Sequence, residues 1–193
     1  MPDLTTLAEN PITLPGRNFS GISLWNVSET SRYGCKGANA AAWLGGLGFP
    51  IPDAPNRWRV LSEGGLIARL GRSEFLLEAP GATLPAPPAG VAPVLRQDAA
   101  IVLGGEKALT LLKQVCNVNF AAATIHDAVT TTAGPVVLTS MAGVSVTVIL
   151  KMADANDVAV RQGAPEGLHY HLLYDGAYGD YLWKTLHDVA ADL

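Results

Sequence analysis

Charge is scarce in this chain. Only 16% of its 193 residues are charged, and its 13 Lys and Arg are outnumbered by 17 Asp and Glu. At a formal net charge of −4 there is no basic excess to hold a polyanion, so composition argues against a nucleic-acid partner. Cysteine is sparser still. Cys35 and Cys116 are too few for a disulfide framework and are expected as buried thiols. No apolar run approaches the roughly 18 residues of a membrane span, which excludes a helical membrane protein. The opening MPDLTTLAEN lacks the basic and apolar regions of a secretory signal, so a cytoplasmic location is expected. Nucleotide signatures are missing as well. There is no GxxxxGK[ST]. Gly45, Gly46 and Gly48 follow a helical segment, whereas a dinucleotide turn needs its glycines before one.

Apolar residues, at 49%, are plentiful. In a chain so poor in charge, they fit either a domain that hides part of its outer surface in a larger assembly or a bulky core alone. Proline is unevenly placed: five of the thirteen fall within residues 79–93, APGATLPAPPAGVAP. That segment is expected as a semi-rigid linker unable to supply a regular ladder. Residues 1–20 carry three prolines and little periodicity, and are expected as an arm.

Between these landmarks one unit occurs twice. Residues 32–48, RYGCKGANAAAWLGGLG, read as a strand, a glycine turn and a short amphipathic helix. Residues 101–118, IVLGGEKALTLLKQVCNV, repeat the pattern at an offset of 68, which sets Gly37, Ala40 and Leu44 against Gly105, Ala108 and Leu112. Ala40, Trp43, Leu44 and Leu47 follow helical spacing and are expected to face a core, with Asn39 as N-cap. Strands are expected at 22–27, 31–36, 58–61, 66–70, 74–78, 97–103, 135–140, 144–152 and 168–174, and a last helix at 178–191. Helices mixed with hairpins indicate an α+β fold: two related β-α-β-β units with antiparallel sheets, in halves 21–78 and 94–193 of one domain spanning 21–193.

Candidate chemistry is thin. His169 and His171 lie one residue apart on a strand and share a face. A zinc site would need a third ligand, for which His126 and Asp175 are the nearest candidates; no metal site is expected. Ser140, His171 and Asp175 can be written as a hydrolase triad, but no GxSxG elbow supports it. Trp43 and Trp183 are expected in the core. Trp58, between Arg57 and Arg59, is expected in the core or at its rim, with ligand stacking as the alternative. Asp53, Glu63, Glu74, Asp127 and Asp175 fall in or beside turns, where solvation accounts for them. No catalytic residue is assigned, and no cofactor-binding residue can be named.

Several motifs resemble a known family. Leu24-Trp25-Asn26-Val27-Ser28, then residues 32–37 and 38–47, resemble the opening of the folate-dependent aminomethyltransferases, typified by the T-protein of the glycine cleavage system, with Asn26 in place of the family's Asp. Residues 41–52 (AAWLGGLGFPIP) with Arg57, and 67–77 (IARLGRSEFLL), look more like the gamma subunit of heterotetrameric sarcosine oxidase. The resemblance implies an aminomethyltransferase folate-binding-domain-like fold. Family members carry an acidic pair in a GG-x-x-DD hairpin that assists one-carbon transfer to tetrahydrofolate. Matched to the hairpin at 141–147, those positions hold Val146 and Thr147, which cannot act as carboxylates. The resemblance therefore implies a non-catalytic accessory subunit of an amine-oxidising complex. Larger flavoprotein subunits would be its partners and would carry the flavin and NAD, with tetrahydrofolate a possible ligand. The alternatives are a stand-alone tetrahydrofolate-binding or aminomethyltransferase-like protein, and a plain interaction domain.

Overall fold

The longest strand, Val144–Ala153, forms where valine and isoleucine are densest, because branched side chains pack well on a pleated surface. The computed structural model describes residues 16–62, 64–81, 83–122, 125 and 128–193. In chain order the elements are β1 (Arg17–Phe19), β2 (Ile22–Asn26), β3 (Arg32–Lys36), α1 (Ala40–Gly46), β4 (Arg57–Val60), β5 (Leu66–Arg69), β6 (Glu74–Glu78), β7 (Ala92–Val94), β8 (Asp98–Gly104), α2 (Ala108–Val115), β9 (Ala133–Met141), β10 (Val144–Ala153), α3 (Val158–Arg161), β11 (Gly167–Asp175) and α4 (Gly179–Ala191). Most of the expected arm, and candidates Glu63, His126 and Asp127, lie outside the described residues.

The eleven strands form one antiparallel sheet, in the order β1-β2-β8-β11-β10-β9-β4-β5-β6-β3-β7. Each half runs β-α-β-β-β, one strand longer than the β-α-β-β unit expected from sequence. The orders β8-β11-β10-β9 and β3-β6-β5-β4 correspond strand for strand, and the halves join where β9 pairs with β4. The flanking strands are exchanged. β2 precedes β3 yet pairs with β8, and β7 precedes β8 yet pairs with β3. Gly37 (φ +141°) and Gly105 (φ +99°) both turn a strand into a helix. A Cβ on Gly37 would collide with the Gly90 carbonyl oxygen, and one on Gly105 with that of Gly21. Each glycine thus admits the chain that leads into the exchanged strand.

Three apolar clusters fill the fold. α2 and α4 cover the outer face of β8–β11, burying Leu111, Leu112, Leu182 and Leu186. α1 covers Cys35, Ile67, Phe75 and Leu77 on the other half. Between the halves, Trp58, Leu66, Ala68 and Leu76 meet Ala100, Val102, Val136, Ile149 and Leu173. Both faces of β8 are therefore buried, and its sequence is correspondingly apolar throughout. Cys35 and Cys116 are buried free thiols.

Several local expectations need correction. Part of the proline-rich segment does form a ladder: Ala92–Val94 pairs with β3, with Pro93 tolerated because β7 is an edge strand. Leu47 is 41% exposed, since α1 ends at Gly46 before another turn can press it onto the core. Asn39 occupies the cap position but makes no cap bond. Its amide instead donates to the Ala89 carbonyl.

Candidate functional site

Strand alternation carries charge into the interior. In β11, Tyr170, Leu172 and Tyr174 face the helices, while His169 and His171 share the inner face with Leu173. Glu78 follows Leu76 by two residues in β6 and shares its face. Arg32, at the start of β3, lies opposite Glu78 in register. The two halves thus enclose a polar layer beside their shared apolar core.

The geometry of that layer is specific. Arg32 Nη2 lies 3.7 Å from Glu78 Oε1, with both side chains almost wholly buried. The Arg32 guanidinium also donates to the carbonyls of Val27 (3.0 Å), Ser28 (3.2 Å) and Asp98 (3.3 Å), tying β8 to the turn before β3. On the other side of Glu78, His171 Nδ1 lies 3.6 Å from Oε2. That spacing is too long for a direct hydrogen bond. Neither ring nitrogen of His171 has a hydrogen-bond partner among the described residues. A second buried pair, Lys151 Nζ to Asp157 Oδ2 at 2.8 Å, lies nearby, and Asp157 also caps α3 by accepting from Ala159 N. His169 Nε2 meets the Pro165 carbonyl.

Burial sets the ionisation of this layer. It lowers the pKa of His171 well below its ordinary 6.5, and the positive charges of Lys151 and Arg32 push the same way. Burial also lowers His169, against the raising effects of its Pro165 bond and of Asp157. Burial raises Asp98, against the pull of Arg96 and Arg32. The histidines set a sign for pH dependence. Below pH 6.5 the unfolded chain binds protons that the folded chain refuses. Their contribution is complete above 6.5 and is lost as pH falls from there towards the depressed folded values. Unfolding free energy should drop by up to about 1.4 kcal/mol per pH unit for each histidine in that window. Denaturant midpoints at pH 7.5, 6.5 and 5.5 measure it. His171→Phe should flatten the slope by one proton, and an unchanged slope would show that His171 does not titrate as described.

A cavity of about 450 Å³ opens beside the Lys151–Asp157 pair, bounded also by Trp58, Gly64, Gly65 and Thr132. Trp58 is buried and donates its indole N–H to the Leu150 carbonyl at 2.7 Å, so it is a core residue and does not offer a stacking face. Gly64 and Gly65 leave no room for side chains. A Cβ on either would run into the carbonyl of Asn156 or Glu78. The cavity can accept a small polar molecule, with Lys151 as the cation and Asp154 and Asp157 as anions on its wall.

The other candidates are not brought together. His171 is buried, whereas Ser140 and Asp175 are exposed, and Asp175 is spent capping the turn at Gly176–Tyr178. Among the described residues no three His, Cys, Asp or Glu side chains group as a metal site. Trp183 is buried and Trp43 half-buried. Asp53 is exposed, but Glu74 is ion-paired with Arg96 at 3.0 Å, so solvation alone does not account for it. Sequence reading missed Arg32, Glu78, Lys151 and Asp157. For Glu78 and Lys151 the signal was a charged residue at an inner-face position of a largely apolar strand. Asp157, the cap of α3, and Arg32, at the start of β3, carried no such signal.

Comparison with solved structures bears on the fold. A chain of heterotetrameric sarcosine oxidase from Corynebacterium sp. U-96, solved in complex with pyrrole 2-carboxylate, superposes with a TM-score of 0.63 at 18% identity, over 89% of this chain and 84% of that one. The fold is aminomethyltransferase-like. Glycine cleavage system aminomethyltransferase T from Bartonella henselae matches with a TM-score of 0.56 at 10% identity, over 87% of this chain but 46% of the enzyme. This chain thus spans about half the length of that aminomethyltransferase. No family model and no curated protein sequence matches.

Proposed function

We propose that this chain is a non-catalytic, gamma-type accessory subunit of a sarcosine oxidase-like, folate-linked amine-oxidising flavoenzyme complex. One observation carries the reading. The fold extends over 84% of a chain from a heterotetrameric oxidase, but over only 46% of the aminomethyltransferase. Its partners are then larger flavoprotein subunits that hold flavin and NAD, and its place is the cytoplasm. Among the described residues no helix is long and apolar enough to cross a membrane.

The hairpin residues support a non-catalytic role. Val146 is buried under the helices, and Thr147 is half-buried on the opposite face. The family's GG-x-x-DD pattern also has a more literal match in the β4–β5 hairpin, at Gly64-Gly65, which sequence reading passed over. There the acidic positions fall on Ala68 and Arg69. Ala68 is in the inner core, and the Arg69 guanidinium is engaged by four backbone carbonyls. Neither placement supplies a carboxylate for one-carbon transfer.

Affinity purification of the tagged chain from its native cell tests the proposal. Larger co-purifying chains with flavin absorption are expected. Poor solubility when the chain is expressed alone, rescued by co-expression with a flavoprotein subunit, would agree. A soluble solitary monomer that binds tetrahydrofolate would overturn it in favour of the stand-alone reading.

A further inference from the structure

The arginines beside Trp58 have a role that the core does not explain. Trp58 and Val60 turn inwards, so Arg57 and Arg59 point to the outer face of β4. In register, Arg57 lies opposite Arg69, and Arg59 opposite Ile67, which belongs to the cluster under α1. Arg69 is held by the carbonyls of Pro52, Asp53, Gly71 and Arg72. Asp53 therefore meets it through its backbone. Arg57 and Arg59 make no ion pair or side-chain hydrogen bond among the described residues. Like charges directly opposite on a sheet destabilise it. Three arginines thus share one face of a chain whose net charge is −4, and among the described residues no carboxylate is ion-paired with them.

The residues that follow Arg59 lead into an apolar groove of about 470 Å³, lined by Leu47, Phe49, Pro50, Val60, Leu61 and Pro80. Arg59 directly precedes Val60 and Leu61 of the groove wall, and arginine next to apolar surface is a combination enriched at protein interfaces. We propose that the outer face of β4 docks an acidic segment of a larger protein partner, its carboxylates on Arg57 and Arg59 and its apolar side chains in the adjoining groove. Charge selects this occupant. A short acidic segment meets the local arginines, whereas an extended nucleic acid also meets the excess of carboxylates over the rest of the chain. The partner's identity rests on the accessory-subunit reading.

Two measurements on the full chain separate that reading from this surface. The first titrates the chain at low salt with a short fluorescent oligoglutamate peptide, and with single-stranded oligodeoxythymidine of equal charge. Wild type should bind the peptide, and the Arg57→Glu/Arg59→Glu variant should lose at least about tenfold in affinity with most of the salt dependence. The variant's melting temperature should be unchanged or raised, because a carboxylate opposite Arg69 relieves the like-charge contact; a merely structural role would lower it. Absent peptide binding, equal binding by the variant, or tighter binding of the oligonucleotide would each overturn the proposal. The second compares both proteins in the co-purified complex. A complex formed equally well by the variant overturns the surface. Failure of wild type to form one overturns the accessory-subunit reading, while the peptide titration still decides the surface.

Discussion

Replacing Glu78 with alanine should lower the unfolding free energy by about 3–5 kcal/mol, because it leaves the Arg32 guanidinium buried without its counter-charge. The value is large because of burial. Both side chains are almost sealed from water, and Glu78 also lies 3.6 Å from His171, whose ring nitrogens have no hydrogen-bond partner among the described residues. Water cannot replace what is removed. Glu78→Gln keeps the volume and one acceptor, and should fall between alanine and wild type. Arg32→Met should cost at least as much as Glu78→Ala, since it also strips donors from the carbonyls of Val27, Ser28 and Asp98. The exposed Lys184–Asp188 pair is the control, and its removal by Lys184→Ala should leave the midpoint unchanged. Equilibrium urea unfolding measures all four variants. A loss below about 1 kcal/mol for Glu78→Ala would mean that solvent reaches this layer.

Gly37→Ala is the second severe change, with an expected loss of about 3 kcal/mol or more. Two costs combine. The backbone at φ +141° is one that side chains rarely adopt, and the added methyl would occupy the space of the Gly90 carbonyl. Gly48→Ala separates them. Gly48 is also left-handed, at φ +89°, but its missing Cβ has open space around it. It should therefore show strain alone, about 1 kcal/mol. Gly105→Ala should resemble Gly37→Ala, because Gly21 approaches it as Gly90 approaches Gly37. Equal, small losses at Gly37 and Gly48 would show that the connector before β7 yields instead of clashing.

Much of the fold was legible because its signals are local. Valines at alternate positions, Val144, Val146 and Val148, mark β10. The Met141–Val144 hairpin is marked by Gly143, whose positive φ follows another at Ala142. Gly37 and Gly105, 68 residues apart, mark two equivalent turns. The inner polar layer was not legible in the same way. Arg32, Glu78 and His171 come from three strands far apart in the chain, and no periodicity says which polar residue meets which. The edge strand β7 was obscured by Pro93, since proline is read locally as a breaker but is tolerated where one side of a strand needs no donor. Arg57 and Arg59 were weighed only as neighbours of Trp58. The period of two that buries the indole is what sends both cations outwards.

The exchange of β2 and β7 also has a consequence for synthesis. When the ribosome has released residues 16–78, β2 has only β1 beside it, because Leu24 and Trp25 pair with Leu103 and Val102 of the unfinished half. The first half therefore waits for the second, and the chain folds late, after long-range closure. A protease cut among the prolines before β7 should likewise leave two fragments that remain clasped, each holding the other's edge.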